Sequence, residues 1–70
     1  MEVSIITINY NSSEYTINLV KSILTNISSD TKYEIIITDN ASENHDYKNL
    51  VDKIPKDNRV KILKSNINTG

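Results

Sequence analysis

Apolar and polar positions along the chain follow two periods in turn. Val3, Ile5, Ile6 and Ile8 form a near-continuous β-branched run broken only by Ser4 and Thr7, which predicts a strand over Val3–Ile8 with apolar residues on both faces. Asn9-Tyr10-Asn11-Ser12-Ser13 then supplies turn and cap chemistry, and Glu14 stands three residues after Asn11 in the manner of a capping box, so a helix is predicted to start here. Tyr15, Leu19, Val20, Ile23, Leu24 and Ile27 follow at helical spacing and define one apolar stripe ending near Ile27. Beyond the polar connector 28–32, Tyr33, Ile35, Ile36, Ile37 and Thr38 predict a second strand that stops at Asp39 and leaves Asp39-Asn40-Ala41-Ser42 as a post-strand loop. Tyr47, Leu50, Val51 and Ile54 predict a shorter amphipathic helix from about Asp46 to Ile54, ended by Pro55. Val60, Ile62 and Leu63 predict a third strand leading into Ser65-Asn66-Ile67-Asn68-Thr69-Gly70.

The order β-α-β-α-β with short connections predicts an α/β fold. Right-handed crossovers then give a parallel sheet of strand order 3-2-1 with both helices on one face, a Rossmann-like half of a three-layer, doubly wound domain. The other sheet face would be bare, although its isoleucine-rich strands are of the kind usually covered on both sides. The expected cover is the remainder of a longer polypeptide of which residues 1–70 are the front end, or a second copy. As an isolated fragment, the chain is expected to form homo-oligomers through that face.

Composition narrows the function classes. Seventy residues make one small domain at most, and a chain of this size buries only about 60% of the surface that its unfolded form exposes. Eight Lys and Arg are scattered among nine Asp and Glu, for a net charge of -1, so no basic stripe exists to track a nucleic acid. Cysteine is absent, which removes disulfides and thiolate chemistry and is compatible with a cytoplasmic setting. Apolar runs stop far short of the roughly 20 residues a spanning helix needs.

In an open parallel sheet, ligands bind beyond the carboxyl ends of the strands. Three loops meet there: 9–12, 39–42 and 66–70. All are rich in Asn, Asp and Ser, residues that also serve plain turns. Asp39, ending the second strand, is placed either to accept hydrogen bonds from a ribose or a base N–H, or to close an Asx turn or cap a helix. The first loop, Asn9-Tyr10-Asn11-Ser12, has no glycine and so lacks the backbone approach that a dinucleotide pyrophosphate requires. It also lacks the acidic cluster of a magnesium-binding receiver domain. His45 is expected in a solvated first helical turn with no catalytic role. Tyr15, Tyr33 and Tyr47 are expected in the core, whereas Tyr10 can lie against a base or anchor its loop.

Taken together, these blocks resemble family 2 glycosyltransferases, which carry the GT-A fold. Val3-Ser4-Ile5-Ile6-Thr7-Ile8-Asn9-Tyr10-Asn11-Ser12 is similar to the family's opening strand and loop. Tyr33-Glu34-Ile35-Ile36-Ile37-Thr38-Asp39-Asn40-Ala41-Ser42 is similar to its second strand and Asp-Asn-Ala-Ser loop, above all in the rhamnosyltransferase-like branch. Asn66-Ile67-Asn68-Thr69-Gly70 resembles the start of its Asn-x-Gly segment. Many members have Pro-Thr-Tyr-Asn in place of Ile8-Asn9-Tyr10-Asn11 and a second Asp in place of Asn40, a departure that bears on donor identity. The resemblance implies that Asn9, Tyr10, Asp39, Asn40 and Asn68 bind the nucleotide of a UDP- or dTDP-linked sugar. It implies a parent enzyme of polysaccharide biosynthesis, acting in the cytoplasm or at the inner face of the membrane on a glycan or lipid-linked acceptor. The family's Asp-x-Asp motif for Mg or Mn and its catalytic base fall after Gly70. The chain is therefore expected to hold no metal, to supply no catalytic residue and to be inactive alone. The alternative from another class is a non-catalytic α/β module that self-associates through its apolar sheet face.

Overall fold

The computed structural model describes residues 2–28 and 30–65. Five elements occur in the expected order: β1 (Glu2–Asn9), α1 (Ser13–Asn26), β2 (Lys32–Asn40), α2 (Asn44–Lys53) and β3 (Val60–Ser65). The strands form one parallel sheet with β2 in the centre, the 3-2-1 order anticipated from the β-α-β-α-β pattern. The expectation of a Rossmann-like α/β architecture therefore holds. Ile5, Thr7 and Asn9 of β1 pair with Ile35, Ile37 and Asp39 of β2, and these in turn pair with Val60, Ile62 and Lys64 of β3. Since side chains alternate across a sheet, all nine residues lie on one face.

Both helices cover that face. Ile17 and Val20 from α1 and Leu50 and Ile54 from α2 close over Tyr33, Ile35 and Ile37, with Ile5, Ile23, Leu24, Ile27, Val60 and Ile62 packed around them. Full burial of an aliphatic side chain stabilises by about 1.5–3 kcal/mol, so this single layer supplies most of the driving force. Pro55 stops α2, because the residue before a proline is pushed out of the helical region, and Ile54 is extended at ψ 140. Lys56 Nζ donates to the Val51 carbonyl at 2.7 Å and satisfies one of the carbonyls left open at the α2 carboxyl end. The Tyr33 hydroxyl is buried without a partner among the described residues, a cost of about 1–3 kcal/mol. Its ring is held under the Arg59 guanidinium, 4.7 Å from the centroid.

The opposite sheet face carries Ile6, Ile8, Ile36, Thr38 and Leu63, with Ser4 and Glu34 at one end and Lys61 beside Ile36. No element among the described residues covers it, and Ile6 and Ile8 are 68% and 65% exposed.

Four local expectations change. Tyr15 is 71% exposed, not core. The buried stripe of α1 is Ser13, Thr16, Ile17 and Val20, rotated relative to the apolar reading because the helix turns hydroxyls, not its tyrosine, towards polar groups on the sheet. The capping box does not form: Ser12 is the N-cap and makes no side-chain cap bond, while Asn11 Oδ1 accepts from the Glu43 N–H at 2.8 Å. β2 does not stop at Asp39, since Asp39 and Asn40 pair with Lys64 and Ser65. Finally, α2 begins at Asn44, two residues before the predicted start, with Glu43 as its N-cap.

Candidate functional site

Parallel pairing brings the carboxyl ends of β1 and β2 side by side, with Asn9 and Asp39 in register. Both side chains are fully buried. Asn9 Nδ2 donates to Asp39 Oδ1 at 2.9 Å, and Ser42 Oγ and Asp46 Oδ2 each lie 3.1 Å from the same nitrogen. Two amide hydrogens face three acceptors, so one hydrogen is shared. On its other side, Asn9 Oδ1 accepts from Thr16 Oγ1 at 2.7 Å and Ser12 Oγ at 3.3 Å. This division of acceptors and hydroxyls fixes which way the amide points.

Asp39 turns both oxygens to the loop that follows it. Its Oδ1 accepts from Ser42 Oγ at 2.6 Å and its Oδ2 from the Ser42 N–H at 3.2 Å, a cap-like bond to the backbone three residues on, one residue further than an Asx turn reaches. Ser42 Oγ in turn accepts from the Asn11 N–H at 2.9 Å and so ties the two loops together. Ala41 sits at φ 58 and Asn11 at φ 50. Asn tolerates the left-handed region, but for Ala it costs about 1–2 kcal/mol. The loop accepts that strain where Ser42 bonds back to Asp39 and the Ala41 N–H reaches the Ser65 carbonyl at 3.0 Å.

Asp46, in the first turn of α2, crosses to the other helix. Its Oδ1 accepts from the Ser13 N–H at 3.1 Å, so a carboxylate from α2 caps the amino end of α1 and meets its positive dipole. Burial acts to raise the Asp46 carboxyl, yet the hydrogen bonds from Ser13 and from the Asn9 amide, with His45 nearby, hold it below its ordinary value. Asn49 Nδ2 extends the brace to Ser13 Oγ at 2.8 Å and Glu14 Oε2 at 3.1 Å.

Of the residues expected at this edge, Asn9 and Asp39 meet in the buried network. Tyr10 stands beside them, 51% exposed, and Asn40 is half-buried at the end of β2, paired with Ser65. Asn68 lies outside the described residues. Three participants escaped the sequence reading: Ser13, Thr16 and Asp46. The available signal was that Ser13, Thr16, Ile17 and Val20 also keep helical spacing, a stripe passed over because half of it is polar. His45 is exposed in the first turn of α2 as expected, with Nδ1 3.5 Å from Glu43 Oε2.

The arrangement accepts and donates hydrogen bonds through side chains from both strand ends and both helices. Among the described residues, no three His, Asp or Glu side chains converge on a cation position. Asp39 and Asp46 approach one another around an amide N–H and a Ser hydroxyl, an environment built of donors, so these carboxylates do not fit a divalent metal. An open concavity of about 430 Å3 lies at the amino ends of β1 and β2, lined by Glu2, Val3, Ser4, Lys32, Tyr33 and Glu34. It is at the wrong sheet edge for ligands of this architecture.

Compared with known protein families, residues 4–70 match the one described as Glycosyl transferase family 2. No curated protein and no solved structure matches the chain significantly.

Proposed function

The chain belongs to glycosyl transferase family 2, and from that premise we propose that its carboxyl-edge loops form one side of the pocket for a nucleotide-linked sugar donor. The parent protein, on this reading, moves the sugar to a glycan or lipid-linked acceptor during polysaccharide synthesis. The observation that carries the proposal is the Asn9–Asp39 bond of 2.9 Å between neighbouring strand ends. It joins two loops into one preorganised edge at the position where parallel sheets bind ligands. Tyr10 supplies the exposed ring against which a base can lie. Asn9 and Asp39 form the floor, and Asn40 borders it. Direct contact between Asp39 and a ribose or base requires Ser42 Oγ to give up its 2.6 Å bond, so binding and a shift of the 41–43 loop go together.

The test is titration of the chain with UDP, dTDP and GDP, followed by backbone amide NMR. Shifts are expected at residues 9–12 and 39–42, and should be lost or strongly weakened in Tyr10→Ala, an exposed site that leaves the fold intact, and in Asp39→Asn. A folded wild-type sample with no shift at millimolar nucleotide would sink the reading for this chain.

A further inference from the structure

Tyr10 is exposed, yet the residues on either side of it are fixed. Asn9 before it is fully buried and bonded to Asp39. Asn11 after it is exposed but tied twice to the second loop: its N–H donates to Ser42 Oγ at 2.9 Å, and its Oδ1 accepts from the Glu43 N–H at 2.8 Å. Asn11 makes both bonds from a left-handed backbone, at φ 50, a region that asparagine tolerates better than most residues with a β-carbon.

The second of these bonds falls at a helix end. Glu43 is the N-cap of α2, where a backbone N–H has no helical carbonyl to meet, and Asn11 satisfies it from 32 residues away. Asp46 of α2 does the same for the Ser13 N–H of α1 at 3.1 Å. Each strand-to-helix loop therefore helps to cap the helix of the other, and a shift of either pulls on both. Ser42 makes one of the ties conditional. Its Oγ holds Asp39 Oδ1 at 2.6 Å as well as the Asn11 N–H, so a ribose or base that takes over Asp39 displaces the hydroxyl from both. The bond from Asn11 Oδ1 to Glu43 does not pass through that hydroxyl, and it carries Tyr10 along with the 41–43 loop.

We propose that Asn11 is a positioning residue: through its bond to Glu43 it couples the Tyr10 ring to the loop that follows Asp39, so that ring and carboxylate meet the nucleoside together. The inference rests on the donor reading above, and Asn11 itself touches no ligand in it.

The experiment titrates UDP and dTDP into the wild-type chain and three variants by amide NMR, at high salt so that changes of charge are screened. Asn11→Gly keeps the left-handed backbone and removes the acceptor. Glu43→Pro, at a φ of -61 that suits proline, removes the donor from the other end. Asn11→Asp restores an acceptor. Asn11→Gly and Glu43→Pro should each weaken binding by about threefold to tenfold, the cost of ordering a ring that is no longer held, while Asn11→Asp stays within about twofold of wild type. Extrapolated to saturation, the ring-current shift that Tyr10 imposes on the uracil ring protons or the thymine methyl should shrink in Asn11→Gly, with the amide shifts at 39–42 keeping their wild-type size. The two disrupting variants break one bond from opposite ends, so loss of the folded spectrum in one leaves the other to decide. Wild-type affinity in either folded variant would overturn the proposal, as would a loss that Asn11→Asp shares, or a uniform fall of base and 39–42 shifts, which would mark the bond as structural. All three results spare the donor reading. A folded wild-type chain that binds neither nucleotide would defeat the donor reading itself, and this coupling with it.

Discussion

Asn9 is the residue on which the carboxyl edge depends. Its amide is the donor shared by two buried carboxylates, and its carbonyl oxygen is the acceptor for two hydroxyls. Truncation would leave Asp39, Asp46 and Thr16 each short of a partner, and buried groups that lose partners cost more than the bond itself was worth. Asn9→Ala is therefore expected to destabilise the chain by roughly 3 kcal/mol, measured by urea unfolding. A loss below about 1 kcal/mol would show that water enters and replaces the amide. Of the five residues expected to bind nucleotide, Asp39 was legible as a candidate from its place at a strand end on the carboxyl edge, and Asn9 through the family resemblance. Their mutual bond was not legible, because 30 residues separate them and only strand register brings them together.

Among the elements, two carboxylates set the acid sensitivity. The Asp57 carboxyl is drawn from 3.8 to about 2, chiefly by the side-chain hydrogen bonds from Arg59 and then by the Arg59 N–H, which pin the turn before β3. Asp46, which holds α1 to α2, is also depressed. A carboxyl whose folded pKa lies below its unfolded one contributes stability above the unfolded value, and that contribution fades as the pH falls through the folded pKa. Stability should thus decline from about pH 4 towards pH 2, and Asp57→Asn and Asp46→Asn should each flatten that decline. Thermal melts across this range read the effect, and unchanged slopes in both variants would mean that other groups govern acid unfolding. Asp46→Asn should also speed amide exchange at Ser13, because an amide nitrogen there would face that of Asn9 donor to donor.

For the whole molecule, the unpaired sheet face is the dominant physical feature. Ile6, Ile8 and Leu63, the last 57% exposed, form an apolar surface that none of the described residues covers. Self-association of the seventy-residue chain is expected, with light-scattering masses above the monomer that fall back in Ile6→Lys with Ile8→Lys and no change in circular dichroism. A clean wild-type monomer would rule this out. By itself, the sequence determined the five elements, the strand order and which strand ends meet at the carboxyl edge of the sheet. Hydrophobic period and turn residues are local signals, and short parallel crossovers leave few topologies. Element ends were displaced where distant partners intervened: β2 runs on through Asn40 because Lys64 and Ser65 pair with it, and Ser13 and Thr16 face inward because Asn9 and Asp46 meet them. Only the tertiary structure decided that Asp39 is buried and satisfied while Tyr10 stays exposed. Those states depend on which groups from separate elements reach hydrogen-bonding distance, and that is a property of register and packing to which no local pattern is sensitive.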